Sequence, residues 1–168
     1  MAQTVGMGLF DLFGGGGTQV QVGDRAPEFA LPDRSGRTVR LSDYAGKQAV
    51  VLYFYPKDDT PGCTKEACSF RDHYQDFKDA GAEVIGVSSD SAASHEAWSQ
   101  KLKIPFVLLA DVGGAVRKAY GVPATLGFIP GRVTYVIDRQ GVVRHTFNSL
   151  MQATRHIDEA MAALKRSA

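Results

Sequence analysis

The sequence lacks a strong excess of either charge, since 19 Lys and Arg residues oppose 18 Asp and Glu residues and leave a net charge of +1. A chain so close to neutrality gives no electrostatic reason to expect a nucleic acid partner. It also lacks any apolar run near the roughly 20 residues that cross a bilayer, so we expect no membrane segment. Its two cysteines among 168 residues are too few for the disulfide framework of a small secreted domain. In a reducing compartment, a close cysteine pair is instead typical of a catalytic or metal-binding protein.

A metal site fits the sequence poorly. Cys63, Cys68 and His73 are each five positions apart, so on one helix they would point in three different directions. Structural zinc needs four converging ligands. The other histidines show no paired spacing, and we expect each to be an ordinary surface residue. They are His95, His145 and His156. We therefore expect no metal and no other cofactor.

The most informative stretch begins as a continuous run of apolar and β-branched residues from 50 to 55, which is typical of a strand buried on both faces. Pro56 cannot donate a hydrogen bond to a sheet, so the strand is expected to end there. Residues 58–62 are loop formers, and a helical pattern follows them. Its apolar face is marked by aromatic residues at spacings of four and three, namely Phe70, Tyr74 and Phe77.

Cys63 is predicted to lie in the first turn of this helix, on its inward side. Extending the aromatic face backwards at 100° per residue reaches Ala67 and then Cys63. Amides in a first helical turn have no intrahelical partner and carry partial positive charge, which favours a thiolate over a thiol. Thr60 places a hydroxyl where it could bond either the sulfur or a substrate oxygen. The alternative is that Cys63 is a small buried apolar residue, which a junction between a loop and a helix makes less favourable.

Cys68 lies five positions further on, on the polar side of the same helix. Helix geometry separates the two Cα atoms by roughly 8–9 Å, which exceeds the limit of about 7 Å for a disulfide. The two sulfurs therefore cannot bond while the helix is intact. Either they never bond, or the first turns of the helix must unwind.

The remaining patterns predict one domain at residues 23–168, preceded by a flexible segment at 1–22 that contains four consecutive glycines. Trp98 is expected to fill the core. The order of elements, β–α–β–α–β followed by a hairpin and a closing helix, predicts an α/β fold with a mixed central sheet flanked by helices. We predict strands at 29–31, 38–41, 50–55, 83–88, 106–109, 132–138 and 142–148, and a loop at 122–131. Helices are predicted from 62 to near 81, from a cap at Ser91 or Ser94 to about 103, at 114–120, and from 154 to about 165.

The chain resembles the peroxiredoxins from about Gly23 to Leu164. Pro56, Thr60 and Cys63 match the family motif Pro-x-x-x-Thr-x-x-Cys. The run Pro-Gly-Cys-Thr-x-x-Ala-Cys at 61–68 is similar to the Q-type, or bacterioferritin-comigratory, branch with two cysteines in one chain. The segments 26–29 and 130–138 also match. The resemblance implies a thioredoxin-like fold with an N-terminal β extension.

The resemblance also implies a thiol-dependent peroxidase and assigns roles to individual residues. Cys63 would attack the peroxide and become a sulfenic acid, and Cys68 would then form a disulfide with it. Thr60 would hold the peroxide oxygens, and Pro56 would shield the sulfenic acid. Arg132, in Pro-Gly-Arg-x-Thr, matches the arginine that stabilises the thiolate, although without the motif it would be interpreted as a solvated charge at a strand end. Glu66 has two interpretations, since it could orient the arginine or lie in solvent.

The expected substrates are hydrogen peroxide and organic hydroperoxides, and the expected reductant is thioredoxin or a related dithiol. We expect a monomer. The family occurs in bacterial cytosol and in plastids, so a bacterial cytoplasmic location is predicted, with a plastid as the alternative if a transit peptide has been removed.

Two other functions remain open. A thioredoxin-like disulfide reductase or isomerase uses the same fold, but it requires Cys-x-x-Cys, and Thr60 stands where the first of those cysteines would be. A non-catalytic redox sensor would use the cysteine pair as a switch.

Overall fold

The computed structural model describes residues 19–125 and 129–167, and a mixed five-stranded sheet lies at their centre. The strands are β1 (Ala30–Pro32), β2 (Thr38–Arg40), β3 (Ala49–Phe54), β4 (Ala82–Ser88), β5 (Val107–Ala110), β6 (Ala124–Thr125), β7 (Ile129–Pro130), β8 (Val133–Ile137) and β9 (Val143–Asn148). The central sheet has the order β5-β4-β3-β8-β9. β3 pairs in parallel with β4 and antiparallel with β8, which confirms the predicted mixed sheet.

The apolar run of β3 explains why it occupies the middle of the sheet. Residues 50–54 are at most 1% exposed, because both faces are covered. Val51 and Tyr53 face one core cluster, whereas Val50, Leu52 and Phe54 face the other. The loop that follows β3 therefore starts at the carboxyl end of a central strand, where both faces of the sheet are covered.

Helices cover both faces of the sheet. They are a short 3-10 helix (Leu41–Tyr44), α1 (Pro61–Asp72), α2 (Tyr74–Asp79), α3 (Ala92–Leu102), α4 (Ala115–Ala119) and α5 (Arg155–Ser167). Residues from α1, α2, α3 and α5 share one core cluster with Val51 and Tyr53, and Trp98 lies in it as predicted. The hairpin of β1 and β2 packs with α4 on the opposite face.

The single helix predicted for 62–81 is wrong, because it is broken at His73. His73 leaves helical geometry at φ −107° and ψ 8°. Its ring nitrogen Nδ1 lies 2.9 Å from the carbonyl oxygen of Ser69 and donates to it, beside the bond at 3.2 Å from the His73 amide to the same oxygen. The predicted face is nevertheless correct, since Phe70 and Phe77 are fully buried and Tyr74 is half-buried.

The predicted loop at 122–131 is also wrong in part. β6 and β7 form a short antiparallel pair, with Ala124 opposite Pro130. Gly131 permits a close approach, because a Cβ there would lie 2.3 Å from the carbonyl oxygen of Pro123. Residues 126–128 lie outside the described residues.

Most of the predicted N-terminal segment, residues 1–18, also lies outside the described residues. Val20 is buried, and its amide donates to the carbonyl oxygen of Tyr120 at 3.0 Å. The boundary at 22/23 stays a prediction. Among the described residues, none of the helices has the length and apolar character needed to cross a bilayer.

Candidate active site

Cys63 lies where β3 gives way to α1, as the sequence predicts. Thr60 is the N-cap of α1 in extended geometry, and Pro61 is the first helical residue. Pro suits this position because its missing amide hydrogen has no intrahelical role there. The first helical hydrogen bond runs from the amide of Thr64 to the carbonyl oxygen of Thr60 at 2.8 Å. The preceding amides, including that of Cys63, therefore have no acceptor within the helix and direct positive charge towards a 1% exposed sulfur.

The structure brings Arg132 to the sulfur of Cys63. Arg132 precedes β8 and is 3% exposed, so it is not the solvated charge that its position alone would suggest. Its Nη2 donates to Cys63 Sγ at 3.4 Å, and its Nε donates to the carbonyl oxygen of Leu150 at 3.1 Å. Its Nη1 donates to Glu66 Oε1. This contact places a fixed positive charge beside the sulfur.

Gly62 leaves room for this arginine. A Cβ at Gly62 would lie 3.0 Å from Arg132 Nη2, and Arg132 is fixed by Glu66 and by the Leu150 carbonyl. The small residue before Cys63 is therefore a packing requirement of the Cys63–Arg132 contact.

Gly62→Ala should slow the oxidation of Cys63 by about tenfold, because displacing a reacting group by a fraction of an ångström is costly. The same change should leave the free energy of unfolding unchanged or raise it by up to about 1 kcal/mol, since Ala has the better helix propensity. Stopped-flow peroxide oxidation and denaturant unfolding measure the two quantities. An unchanged rate in Gly62→Ala would contradict this account.

Glu66 and His156 form a buried extension of the site. Both residues are fully buried. Glu66 therefore does not lie in solvent, and it contacts Arg132 as the other interpretation requires. Burial raises the pKa of Glu66 to about 8, and Arg132 opposes this shift. Glu66 Oε2 accepts no hydrogen bond from the described residues and lies 3.8 Å from His156 Nδ1.

His156 is held as a neutral imidazole. Its Nε2 lies 2.8 Å from the carbonyl oxygen of Ser149 and must donate, so Nδ1 accepts from the Thr134 hydroxyl at 2.8 Å. Burial lowers the pKa of His156 to about 4, and the charge of Arg132 adds to this effect. The ring thus ties α5 to β8 immediately behind Arg132.

The contribution of His156 to stability should decrease as the pH falls from about 6.5 to about 4, because unfolded His156 binds a proton in this range and folded His156 does not. The full contribution is about 3 kcal/mol and is present above the unfolded pKa. Glu66 contributes in the opposite sense, since its raised pKa stabilises the protonated folded form until the pH rises through about 8. Comparing denaturant unfolding of wild type and His156→Gln at several pH values isolates the histidine. A constant difference between the two proteins from pH about 7 to about 4 would contradict this prediction.

Two of the three histidines expected at the surface are in fact buried, and the expectation is wrong for His95 and His156. His145 is half-buried, with its Nε2 3.1 Å from Glu159 Oε2. His95 Nε2 must donate to the carbonyl oxygen of Leu109 at 2.9 Å, and its Nδ1 lies 2.7 Å from Asp58 Oδ2. Lone histidines carry no periodic signal, so only the tertiary contacts reveal these roles.

Asp58 anchors the loop between β3 and α1. Besides His95, its carboxylate accepts hydrogen bonds from the Tyr55 hydroxyl at 2.7 Å and the Ser94 hydroxyl at 2.8 Å. Its amide donates to Asp90 Oδ2 at 2.8 Å. The sequence indicated only a loop former at this position. The structure makes it the residue that fixes the loop carrying Pro56 and Thr60.

Pro56 and Thr60 lie in this loop and are both half-buried. The Thr60 hydroxyl donates to the carbonyl oxygen of Lys57 at 3.0 Å, across the loop, rather than to the Cys63 sulfur. Of the two contacts expected for it, the one to the sulfur is therefore absent from the structure. Its lone pairs can still accept a hydrogen bond from a peroxide hydroxyl.

Cys68 and Cys63 are free thiols on one intact helix, α1. Cys68 is half-buried, whereas Cys63 is buried. Five helical positions separate their Cα atoms by roughly 8–9 Å, so the two sulfurs are out of bonding range in this state. Among the residues that the structure describes, no group of three or more His, Cys, Asp and Glu could hold a metal ion.

Comparison with known proteins places this arrangement in a family. The family model described as AhpC/TSA matches residues 22–146. The chain belongs to the AhpC/TSA family. Peroxiredoxin Q of Suaeda salsa, named as chloroplastic, is 54% identical over 148 residues, which cover 88% of this chain and 69% of that protein. Chloroplastic peroxiredoxin Q of Arabidopsis thaliana is 55% identical over 148 residues, covering 88% of this chain and 68% of that protein.

Solved structures agree with this assignment to the peroxiredoxins. Peroxidoxin BcpB of Mycobacterium tuberculosis superposes with a TM-score of 0.83 at 35% identity, covering 89% of this chain and 99% of that one. A mutant of Xylella fastidiosa PrxQ gives a TM-score of 0.82 at 30% identity, covering 90% and 99%. The bacterioferritin comigratory protein of Xanthomonas campestris, whose structure is described in terms of alkyl peroxide reduction, gives 0.77 at 29%, also covering 90% and 99%. The Q-type resemblance and the thioredoxin-like fold are thus confirmed, and the protein is a peroxidase of the peroxiredoxin family.

Proposed function

We propose that this peroxiredoxin reduces hydrogen peroxide and organic hydroperoxides through Cys63. The contact between Arg132 Nη2 and Cys63 Sγ at 3.4 Å, at the N-terminus of α1, carries this proposal. The Cys63 thiolate attacks the distal peroxide oxygen, the O–O bond breaks, and the leaving oxygen takes a proton to give water or an alcohol. The sulfur is oxidised to a sulfenic acid, and the peroxide is reduced.

Each group around Cys63 has a separate role in this step. The Cys63 amide and the Thr60 hydroxyl hold the peroxide oxygens, and Arg132 stabilises both the thiolate and the charge on the leaving oxygen. Pro56 covers the sulfenic acid and limits further oxidation. Glu66 keeps Arg132 in place through the hydrogen bond that Arg132 Nη1 donates to Glu66 Oε1.

Cys68 resolves the sulfenic acid within the same chain. Its thiol displaces water from the sulfenic sulfur and forms a Cys63–Cys68 disulfide, which a dithiol reductant then returns to two thiols. Oxidised protein should run as a monomer on non-reducing gels and lose two free thiols per chain. Disulfide-linked dimers as the main product would mean that Cys68 acts across an interface.

The reductant we propose is thioredoxin or a related dithiol protein. The reason is that an intramolecular disulfide can be reduced by a dithiol protein through thiol–disulfide exchange. Two relatives named above are chloroplastic, and this favours the plastid alternative over the bacterial cytoplasm. The organic hydroperoxide specificity is motivated by the alkyl peroxide reduction described for the Xanthomonas campestris protein.

One pair of assays separates this proposal from the other functions. Peroxide consumption with thioredoxin and its reductase should be rapid, and insulin reduction should be absent. A peroxide rate constant no faster than that of free cysteine would favour a redox sensor, and fast insulin reduction would favour a disulfide reductase. Stopped-flow oxidation with hydrogen peroxide and with an organic hydroperoxide ranks the two substrates.

A further inference from the structure

Arg117 is a buried cation beside the candidate active site, and the residue roles described so far do not include it. It lies on α4 and is 9% exposed. Within the described residues, no carboxylate lies at ion-pair distance from its guanidinium. The guanidinium instead donates to two backbone carbonyls, through Nη1 to Gly131 at 3.0 Å and through Nη2 to Tyr55 at 2.6 Å.

These two carbonyls belong to the residues immediately before Arg132 and Pro56. One planar group therefore links the backbone at the end of β3, just before Pro56, to the backbone just before Arg132 and β8. A guanidinium has a fixed fork geometry, so it sets the separation between the two backbones more rigidly than a flexible ammonium would. Asp58 restrains the loop after Pro56, whereas Arg117 restrains its starting point.

Arg117 is itself firmly held. The Asp111 carboxylate accepts hydrogen bonds from the amides of Val116 and Arg117 at 3.1 and 2.8 Å. Burial lowers the pKa of Arg117, and the negative charge of Asp111 opposes this shift. An arginine retains its charge at neutral pH even so.

Burying a guanidinium without a carboxylate partner costs free energy, because the charge loses its hydration. An apolar side chain of similar volume would fill the same space without this cost. We propose that Arg117 is a positioning residue for peroxide reduction, which holds Pro56 and Arg132 at the separation that the reaction of Cys63 requires. The inference rests on the proposed roles of Cys63, Pro56 and Arg132.

The test uses the full chain in a Cys68→Ser background, so that only the oxidation of Cys63 is observed. Trp98 is the single tryptophan, and its ring lies 5.6 Å from that of Tyr55, so its fluorescence can report the reaction in a stopped-flow instrument. Hydrogen peroxide is the substrate, and the rate is measured from acid to alkaline pH. The variants are Arg117→Met and Arg117→Lys. Arg34→Met is the matched control, because Arg34 also donates to a backbone carbonyl, that of Ile104, away from the site.

Arg117→Met should slow the oxidation of Cys63 by about tenfold or more, and its pH profile should move to higher pH as the Arg132 contact loosens. Arg117→Lys should recover part of the rate, and Arg34→Met should match the parent. The slowing caused by Arg117→Met should be smaller when Arg132→Lys is already present, because one change acts through the other. Slow oxidation of Cys63 in the Cys68→Ser parent would contradict the proposed function. The ratios of rates between the variants and that parent would still test the role of Arg117 separately.

Three results would overturn the inference. The first is a folded Arg117→Met protein with the parent rate and lower thermal stability only. The second is equal slowing in Arg117→Met and Arg34→Met. The third is slowing factors for Arg117→Met and Arg132→Lys that simply multiply in the double variant. If Arg117→Met does not fold by circular dichroism, Arg117→Gln replaces it under the same criteria.

Discussion

Cys63→Ser is expected to lose peroxide reduction by at least about a thousandfold while keeping its fold, because it removes the nucleophile itself. A hydroxyl is close in size to a thiol, so packing around the 1% exposed position changes little. The Arg132 guanidinium can still donate to the new oxygen, and its hydrogen bond to Glu66 is left intact. Peroxide consumption, circular dichroism and thermal unfolding together measure the effect.

Cys68→Ser is the matched control, since it makes the same atomic change on the same helix, five positions away. It should still react once with peroxide at a rate near that of wild type, and then proceed towards sulfinic acid or intermolecular disulfides. Substantial turnover by Cys63→Ser with Cys68 intact would show that the nucleophile has been assigned to the wrong cysteine.

The sequence predicts the parts of the site that depend on local pattern. The face formed by Ala67, Phe70 and Phe77 places Cys63 on the inner side of α1, and the structure has it there. The apolar run before Pro56 likewise predicts a central strand, because a strand buried on both faces has no polar positions to alternate. Arg132 is identified only through the motif Pro-Gly-Arg-x-Thr, because nothing in its local spacing distinguishes it from a surface charge.

The groups that local pattern misses are those whose partners are distant in the chain. Glu66 contacts Arg132 across 66 positions, and Arg117 contacts Tyr55 across 62. His95 and Asp58 are 37 positions apart. No periodicity can encode such contacts, because they depend on how the elements pack. The helix break at His73 is different, since it is accompanied by a local hydrogen bond between the His73 side chain and the backbone four residues away.

The segment between Cys63 and Phe70 should lose its protection from hydrogen exchange when the protein is oxidised. An intact α1 holds the two thiols out of bonding range, so a disulfide between them requires the first turns of the helix to unwind. Three or more backbone hydrogen bonds at about 1 kcal/mol each are lost, which corresponds to at least about hundredfold faster exchange. Mass spectrometry or NMR of reduced and oxidised protein measures this for residues 64–70.

The structure also predicts where the unwinding stops. α1 ends at the break at His73, so α2 can keep its own hydrogen bonds, such as the one from the Phe77 amide to the His73 carbonyl at 3.1 Å. Arg71 Nη1 donates to the Leu102 carbonyl at 2.7 Å and ties the end of α1 to α3. The Phe70 ring stacks on Tyr53 at 4.5 Å between centroids, and unwinding that reaches Phe70 would lose this contact.

Exchange at Phe77 should therefore be similar in the two redox states, while exchange before Phe70 differs strongly. Arg71→Met removes the tie to Leu102 and should extend the fast-exchanging region of the oxidised protein towards His73, and the reduced protein should change less. Equal exchange of residues 64–70 in both states would mean that the thiols meet without unwinding. Loss of protection through Phe77 would mean that the break at His73 does not confine the opening, because α1 and α2 then unfold as one cooperative unit.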